Sequence, residues 1–193
     1  DFAGYTSLVT GLGLLLGYRL PENFLQPYLA SHVQDFWRRW HVSLSRFIRD
    51  YIYIPLGGNR HGWWRTQWHV LAGMLVSGLW HGANWTFIIW GALHAFYLIF
   101  GLVTKKARVS VMNAVGIKKH SALNNTLSIA VTFLLAAFAW IFFVSANLHD
   151  ALYVSTHLFG GWEQALSAHG IKGVITAIGG NDTIIGTLNV GTG

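Results

Sequence analysis

The chain has 193 residues, of which 53% are hydrophobic and only 10% are charged, and its mean hydropathy is +0.42. An ordinary soluble domain has roughly 25% charged residues, so the composition indicates a membrane protein. The absence of cysteine excludes disulfides, thiolate metal sites and a cysteine nucleophile. The net charge of +6 does not indicate a nucleic-acid partner, because 11 of the 13 basic residues fall in two blocks, 38–65 and 105–119. Each block lies beside an apolar stretch, as in cytoplasmic loops.

The first two elements differ in character. Residues 4–20 are apolar and glycine-rich, which predicts a packed membrane helix ending at Arg19, Pro21 and Glu22. Residues 31–53 place apolar side chains at three- and four-residue steps, which predicts one amphipathic helix. Its arginines are too costly for the bilayer centre, so we expect an interfacial or re-entrant helix. The apolar face comprises Trp37, Trp40, Leu44, Phe47, Ile48 and Tyr51, and the arginines largely off it are Arg38, Arg39, Arg46 and Arg49.

Residues 54–60 contain Pro55 and two glycines and predict a turn. An uncharged run then extends over 66–104. As one helix, its 39 residues would be about 58 Å long, twice the ~30 Å of a hydrocarbon core. The run must therefore break, and Gly82-Ala83-Asn84 is where we expect the break. Basic residues at both ends of the run indicate that both ends lie on one side of the membrane.

The remaining apolar segments complete the expected organisation. Residues 126–144 are uncharged and predict a third clear span. Residues 152–159 and 171–185 are weaker candidates for a short amphipathic piece and a partial span. We therefore expect one incomplete membrane domain over 1–193, a piece of a larger protein. Its motifs lie in 1–103, and its C-terminal part, 150–193, is poorly determined by the sequence.

His81 is the first candidate functional residue. It lies at the expected break, and no Asp, Glu, Lys or Arg occurs between Thr66 and Thr104. A titratable group kept inside a membrane usually faces a cavity, a substrate path or a partner. We expect Trp80 and Trp85 to wall this site and Gly82 to let another backbone or a ligand approach.

The other candidates carry weaker signals. His94 lies in the same run and is expected to be a hydrogen-bond partner between helices. His41 borders the apolar face of the predicted amphipathic helix, where it is either an interfacial or a functional residue. The sequence contains no His-Glu-x-x-His pattern and no acidic residue near His81, so we expect no metal site. Ser77 lies four residues before His81, but no carboxylate follows to complete a triad.

Two long motifs, in the same order, resemble those of the membrane-bound O-acyltransferase (MBOAT) family, in particular its AlgI-like alginate O-acetyltransferase branch. The resemblance is strong over about residues 1–100 and weak over 138–143. The matching segments are Asp1-Phe2-Ala3-Gly4-Tyr5, Pro21-Glu22-Asn23-Phe24, residues 36–45, residues 49–60 and residues 78–94.

The resemblance implies an all-α fold of polytopic membrane helices, here a partial MBOAT fold, in the bacterial inner membrane. It implies an enzyme without a bound cofactor that moves an acetyl group from acetyl-CoA or another cytoplasmic thioester to a hydroxyl of an exported polysaccharide or cell-envelope glycan. Transfer would be direct or through an extracytoplasmic acetyltransferase partner. By the family's motifs, His81 is the catalytic histidine and His41 a second functional one. The helices are expected to be surrounded by membrane lipid.

The chemistry of imidazole is consistent with this implication. A hydroxyl is a poor nucleophile until a base removes its proton, and neutral imidazole suits that task near pH 7. His81 would accept the proton, while His41 would orient the acceptor or polarise the carbonyl. Asn84 would hold the broken helix or donate to the developing oxyanion. Two alternatives remain open: a proton-coupled transporter segment with His81 as a relay, and a non-catalytic scaffold of a glycan-modifying complex.

Overall fold

The computed structural model describes residues 2–115, 121–158 and 160. Within these ranges the regular structure is helical, with one isolated antiparallel bridge between Phe24 and Trp40, so the all-α prediction is confirmed. The chain divides into two compact units, Asp1–Ser145 and Ala146–Gly193.

The described helices are α1 (Phe2–Leu15), α2 (Val33–Arg39), α3 (Val42–Ile48), α4 (Trp63–His81), α5 (Trp85–Val103), α6 (Lys105–Ala114), α7 (Ala122–Val144) and α8 (Leu148–His157). A 3-10 turn spans Pro27–Leu29, and a π-helical turn spans Arg49–Tyr53.

Helix α1 ends earlier than the sequence pattern indicates. Gly17 adopts a left-handed backbone (φ 82°), and its N–H donates to the carbonyl of Leu14 over 3.0 Å. The N–H of Tyr18 reaches the carbonyl of Gly13 over 2.8 Å. These two bonds form a Schellman cap, which satisfies the last carbonyls and stops the helix. The predicted end near Arg19 is therefore wrong by about one turn.

The prediction of a single amphipathic helix over 31–53 is also wrong. The segment consists of α2, α3 and the π-helical turn, and it breaks where Trp40 is extended and His41 is left-handed. The cause is a hydrogen-bonded contact with residues 23–25, since Leu25 N–H donates to Arg39 O over 2.9 Å and Val42 N–H donates to Asn23 O over 3.1 Å. Phe36, Leu44 and Ile48 are buried, whereas Phe47 and Tyr51 of the predicted apolar face are exposed.

The uncharged run over 66–104 breaks at Gly82-Ala83-Asn84, as predicted. Helix α4 ends at His81, α5 begins at Trp85, and the two pack as an antiparallel pair. Each has 19 residues, or about 28 Å of helix, close to the thickness of a hydrocarbon core. Among the described helices, α5 and α7 are long and apolar enough to cross a membrane by length and composition. The turn predicted over 54–60 is also present.

The core of the first unit lies where α2, α5 and α7 meet. One cluster of this core has Phe36, Ala30 and Ala136 as its buried members, and Trp37, Trp40 and Trp140 pack against them. Trp90 and Ala95 of α5 are also fully buried. The third predicted span, 126–144, lies inside α7, which begins four residues earlier with Ser121 as its cap.

In the second unit, the described structure is mainly α8. Asn147 caps it by accepting a hydrogen bond from the N–H of Asp150 over 2.9 Å. The helix covers most of the short piece predicted over 152–159 and begins before it. The partial span predicted over 171–185 lies outside the described residues.

Candidate active site

His81 is the last residue of α4, and the residues after it explain why the helix ends there. Gly82 has φ 153°, a conformation that L side chains rarely adopt, and its N–H turns back to the carbonyl of Leu79 over 3.1 Å. Asn84 then starts α5, because its side-chain oxygen accepts a hydrogen bond from the N–H of Thr86 over 3.2 Å. Asn84 therefore holds the restarted helix, which was the first of its two expected roles.

Four aromatic rings surround the half-buried imidazole of His81. The ring centroids of Phe143 and Trp80 lie 4.8 and 4.9 Å from it, that of Trp90 lies at 5.3 Å, and that of Phe87 at 6.0 Å. Trp80 walls the site as predicted, although it is 57% exposed. Trp85, predicted to be the second wall, is 69% exposed and contributes no ring to this cluster in the described residues. Phe143 of α7 and Trp90 of α5 occupy that role instead.

His41 stands between α2 and α3 and is 8% exposed. Its ring contacts the ring of Trp80 edge-on at 5.6 Å, and its Nδ1 lies 3.4 Å from the hydroxyl of Ser43. Burial lowers the pKa of His41 below its ordinary value of 6.5. His41 is therefore neutral at pH 7, with one ring nitrogen able to accept a proton or a hydrogen bond.

The structure thus brings together the two histidines predicted from separate motifs. Both imidazoles contact the indole of Trp80. The pair offers a proton acceptor at a helix break and a second imidazole beside it. Within the described residues, no group of three His, Cys, Asp or Glu side chains is placed to bind a metal ion.

His94 does not behave as predicted. It is 1% exposed, and neither ring nitrogen has a hydrogen-bond partner in the described residues, so it bridges no helices through a hydrogen bond. Its ring instead stacks on Phe36 at 5.9 Å and contacts Trp37 and Trp90 edge-on at 5.0 and 4.9 Å. It packs as a planar aromatic ring between α2 and α5.

Two of the four arginines of 38–49 form ion pairs with aspartates. Arg39 forms an ion pair with Asp35 at 2.9 Å, four residues away on the same helix. Arg49 pairs with its neighbour Asp50 at 2.7 Å. Asp35 therefore pairs with an arginine one helical turn away, whereas Asp50 pairs with an adjacent residue.

Sequence analysis missed three aromatic residues around His81: Phe87, Trp90 and Phe143. Trp90 lies nine residues after His81, so the antiparallel return of α5 could have placed it near the histidine. Phe143 had no such signal, since it depends on how α7 packs against α5. Asn23, whose backbone and side chain hold the residues after His41, was noted only as part of a motif.

Comparison with known proteins decides which family this arrangement belongs to. The model of the MBOAT, membrane-bound O-acyltransferase family matches residues 1–145. The chain belongs to this family. The match covers α1 to α7 and includes both histidines.

Several curated bacterial proteins are similar to this MBOAT chain. The probable alginate O-acetylase AlgI of Pseudomonas putida is 44% identical over 165 residues, which are 84% of this chain and 32% of that protein. The peptidoglycan O-acetyltransferase of Helicobacter pylori is 42% identical over 160 residues, 83% of this chain and 29% of that protein. The teichoic acid D-alanyltransferase of Bacillus subtilis is 32% identical over 166 residues, covering 77% and 38%. The chain thus spans about a third of the length of these relatives.

Proposed function

We propose that the protein containing this chain is a membrane O-acyltransferase that moves an acetyl group from a thioester donor to a hydroxyl of an exported polysaccharide or cell-envelope glycan. The observation that carries the proposal is the meeting of His81 and His41 at Trp80, beside the helix break, in a chain of the MBOAT family. A scaffold would need neither a paired imidazole nor an interrupted helix at that place.

His81 acts as the general base. Its neutral imidazole accepts the proton of the acceptor hydroxyl as the oxygen attacks the thioester carbonyl, a role worth typically about 10²–10⁴ in rate. The new C–O bond forms, the C–S bond breaks, and the thiolate leaves with a proton returned from the imidazolium. The aromatic rings around His81 exclude water on one side and so disfavour hydrolysis of the donor.

His41 acts on the reacting groups rather than as the base. Its imidazole, neutral at pH 7, either orients the acceptor hydroxyl or donates a hydrogen bond to the carbonyl oxygen on which charge develops. Trp80 sets the spacing between the two histidines, because its indole contacts both rings.

Donor, acceptor and location are part of the same proposal. The donor is acetyl-CoA or another acyl thioester used from the cytoplasmic side. The names of the relatives support a glycan or cell-envelope acceptor, because two of them are O-acetyltransferases of alginate or peptidoglycan. We place the whole protein as a multi-pass protein in a bacterial inner membrane, with an extracytoplasmic acetyltransferase as partner, and α5 and α7 among its spans.

The test is a substitution of His81 in the full-length protein, expressed in a host that lacks its own copy. Glutamine at 81 keeps a polar side chain but removes the base, so His81→Gln should reduce base-released acetate from the exported glycan to background. His149→Ala is a matched control, because this histidine is exposed and its ion pair in the described residues is with its neighbour Asp150. Acetylation by His81→Gln equal to wild type, at equal protein level, would refute the assignment. Proton-coupled flux without any acyl donor would favour the transporter alternative instead.

A further inference from the structure

His41 has an unusual backbone for a residue with a side chain. Its φ and ψ are 42° and 59°, in the left-handed region, which it shares with only one other non-glycine in the described residues, Gln26. Such conformations are sparsely populated and persist only where the surroundings hold them. A left-handed residue at a candidate site therefore calls for an explanation in terms of its neighbours.

Asn23 supplies that hold with two groups. Its backbone carbonyl accepts a hydrogen bond from the N–H of Val42 over 3.1 Å, and its side-chain oxygen accepts one from the N–H of Ser43 over 2.9 Å. These are the first two N–H groups of α3, which have no partner within a helix. The adjacent bridge between Phe24 and Trp40, with their rings 4.8 Å apart, fixes Asn23 in place.

A second histidine of the protein, His32, precedes a helix in the same way and can be compared with His41. His32 occupies the same position before α2, with an extended backbone, and its Nδ1 accepts a hydrogen bond from the N–H of Asp35 over 3.0 Å. His41 makes no such capping bond with its side chain. One histidine therefore caps its helix itself, whereas the other leaves that task to Asn23 and turns its ring to Trp80.

We propose that Asn23 is a positioning residue for the proposed acyl transfer. Asn23 caps α3 in place of His41 and so holds the His41 ring against Trp80 beside His81. The inference rests on the proposed function. Without the Asn23 side chain, the N–H of Ser43 loses its acceptor, and His41 can return to an extended backbone and cap the helix as His32 does. Its ring would then leave the reacting groups.

The experiment measures transfer from radiolabelled acetyl-CoA into base-labile polysaccharide esters in permeabilised cells that express the full-length protein, per molecule of membrane-inserted protein. Asn23→Ala should lower turnover at saturating donor by about 10-fold or more, since small misplacements of catalytic groups have effects of up to about 10². The KM for the donor should stay unchanged. Asn23→Asp keeps the acceptor oxygen and should retain most of the turnover, with Asn23→Ser, whose acceptor is shorter, between the two.

Ser121→Ala is the matched structural control. Ser121 caps α7 with the same kind of bond, accepting from the N–H of Asn124 over 3.2 Å, at the opposite end of that helix from Phe143. Its loss should leave turnover per molecule unchanged. Equal losses in Asn23→Ala and Ser121→Ala, or full turnover in Asn23→Ala while His41→Gln is impaired, would overturn the inference. If the Asn23→Ala protein does not accumulate, the comparison is between the other two variants. A turnover of Asn23→Asp no higher than that of Asn23→Ser then overturns the inference.

The proposed function fails in a different way. If His81→Gln transfers acetyl as well as wild type, the reaction does not use this site, and the role of Asn23 falls with it. If His81→Gln is inactive and the Asn23 series follows the order Asp, Ser, Ala, both are supported.

Discussion

Gly78 offers the sharpest test of the α4–α5 pair that presents His81. A Cβ added at Gly78 would fall on the carbonyl oxygen of Phe87, and a Cβ at Gly91 would fall on that of Met74. Because the obstacle at Gly78 is backbone, the helices must separate by about 1 Å to restore an ordinary C···O distance. Overpacking of this kind costs about 3 kcal/mol at the upper end of its usual range. Alanine recovers about 1 kcal/mol of helix propensity, so Gly78→Ala should destabilise by about 2 kcal/mol.

The assay heats the detergent-solubilised full-length protein, fused to a fluorescent reporter, to a series of temperatures. Size-exclusion chromatography then measures the fraction that remains folded at each temperature. Gly101→Ala is the control on the same helix pair, because a Cβ there meets nothing within 4 Å. It should be neutral or stabilising by up to about 1 kcal/mol. Gly78→Ala should also lose transfer activity, since Phe87 faces His81. A Gly78→Ala protein as stable as Gly101→Ala would refute the close approach of the two helices.

Two further predictions concern side chains around the histidine pair. Trp80→Ala removes the ring that contacts both imidazoles, so turnover per molecule should fall by about 10-fold or more. Trp80→Phe should retain more of the turnover. Equal turnover in the alanine variant and wild type would contradict the role of Trp80 as a spacer. His94→Leu should leave turnover unchanged and should keep or raise the melting temperature, because it removes two buried nitrogens that have no hydrogen-bond partner among the described residues. Loss of transfer in a stable His94→Leu protein would instead assign His94 to the chemistry.

The break after His81 could be predicted from the sequence because it follows from a length limit. An uncharged run twice the thickness of a membrane must turn, and Gly82-Ala83-Asn84, near its middle, places a permissive glycine two residues before a helix-capping asparagine. The length of the run and the residues of the turn can both be read directly from the sequence. The structure places the turn at these residues.

The break at His41 could not be predicted in the same way. The apolar period over 31–53 is a local signal, and it predicts one helix correctly only if no other segment takes the backbone hydrogen bonds. Asn23 and Leu25, more than a dozen residues away in sequence, take those of Val42 and Arg39. Tertiary contact therefore overrides periodicity at His41, the second histidine of the site.

The walls of the site show the same limit. Trp85 is closer to His81 in sequence than Trp90 or Phe143, yet it is largely exposed while they contact the imidazole. Helical geometry on α5 places Trp90, but the contribution of Phe143 depends on the docking of α7. Identifying the histidines required motifs, and identifying their surroundings required the fold.

The most direct measurement of the central claim separates donor binding from transfer in the purified full-length protein. In proteoliposomes, His81→Gln should bind radiolabelled acetyl-CoA with an affinity close to wild type and transfer its acetyl group to a glycan acceptor at least about 10²-fold more slowly. Wild-type transfer by His81→Gln would contradict the assignment of His81 as the base.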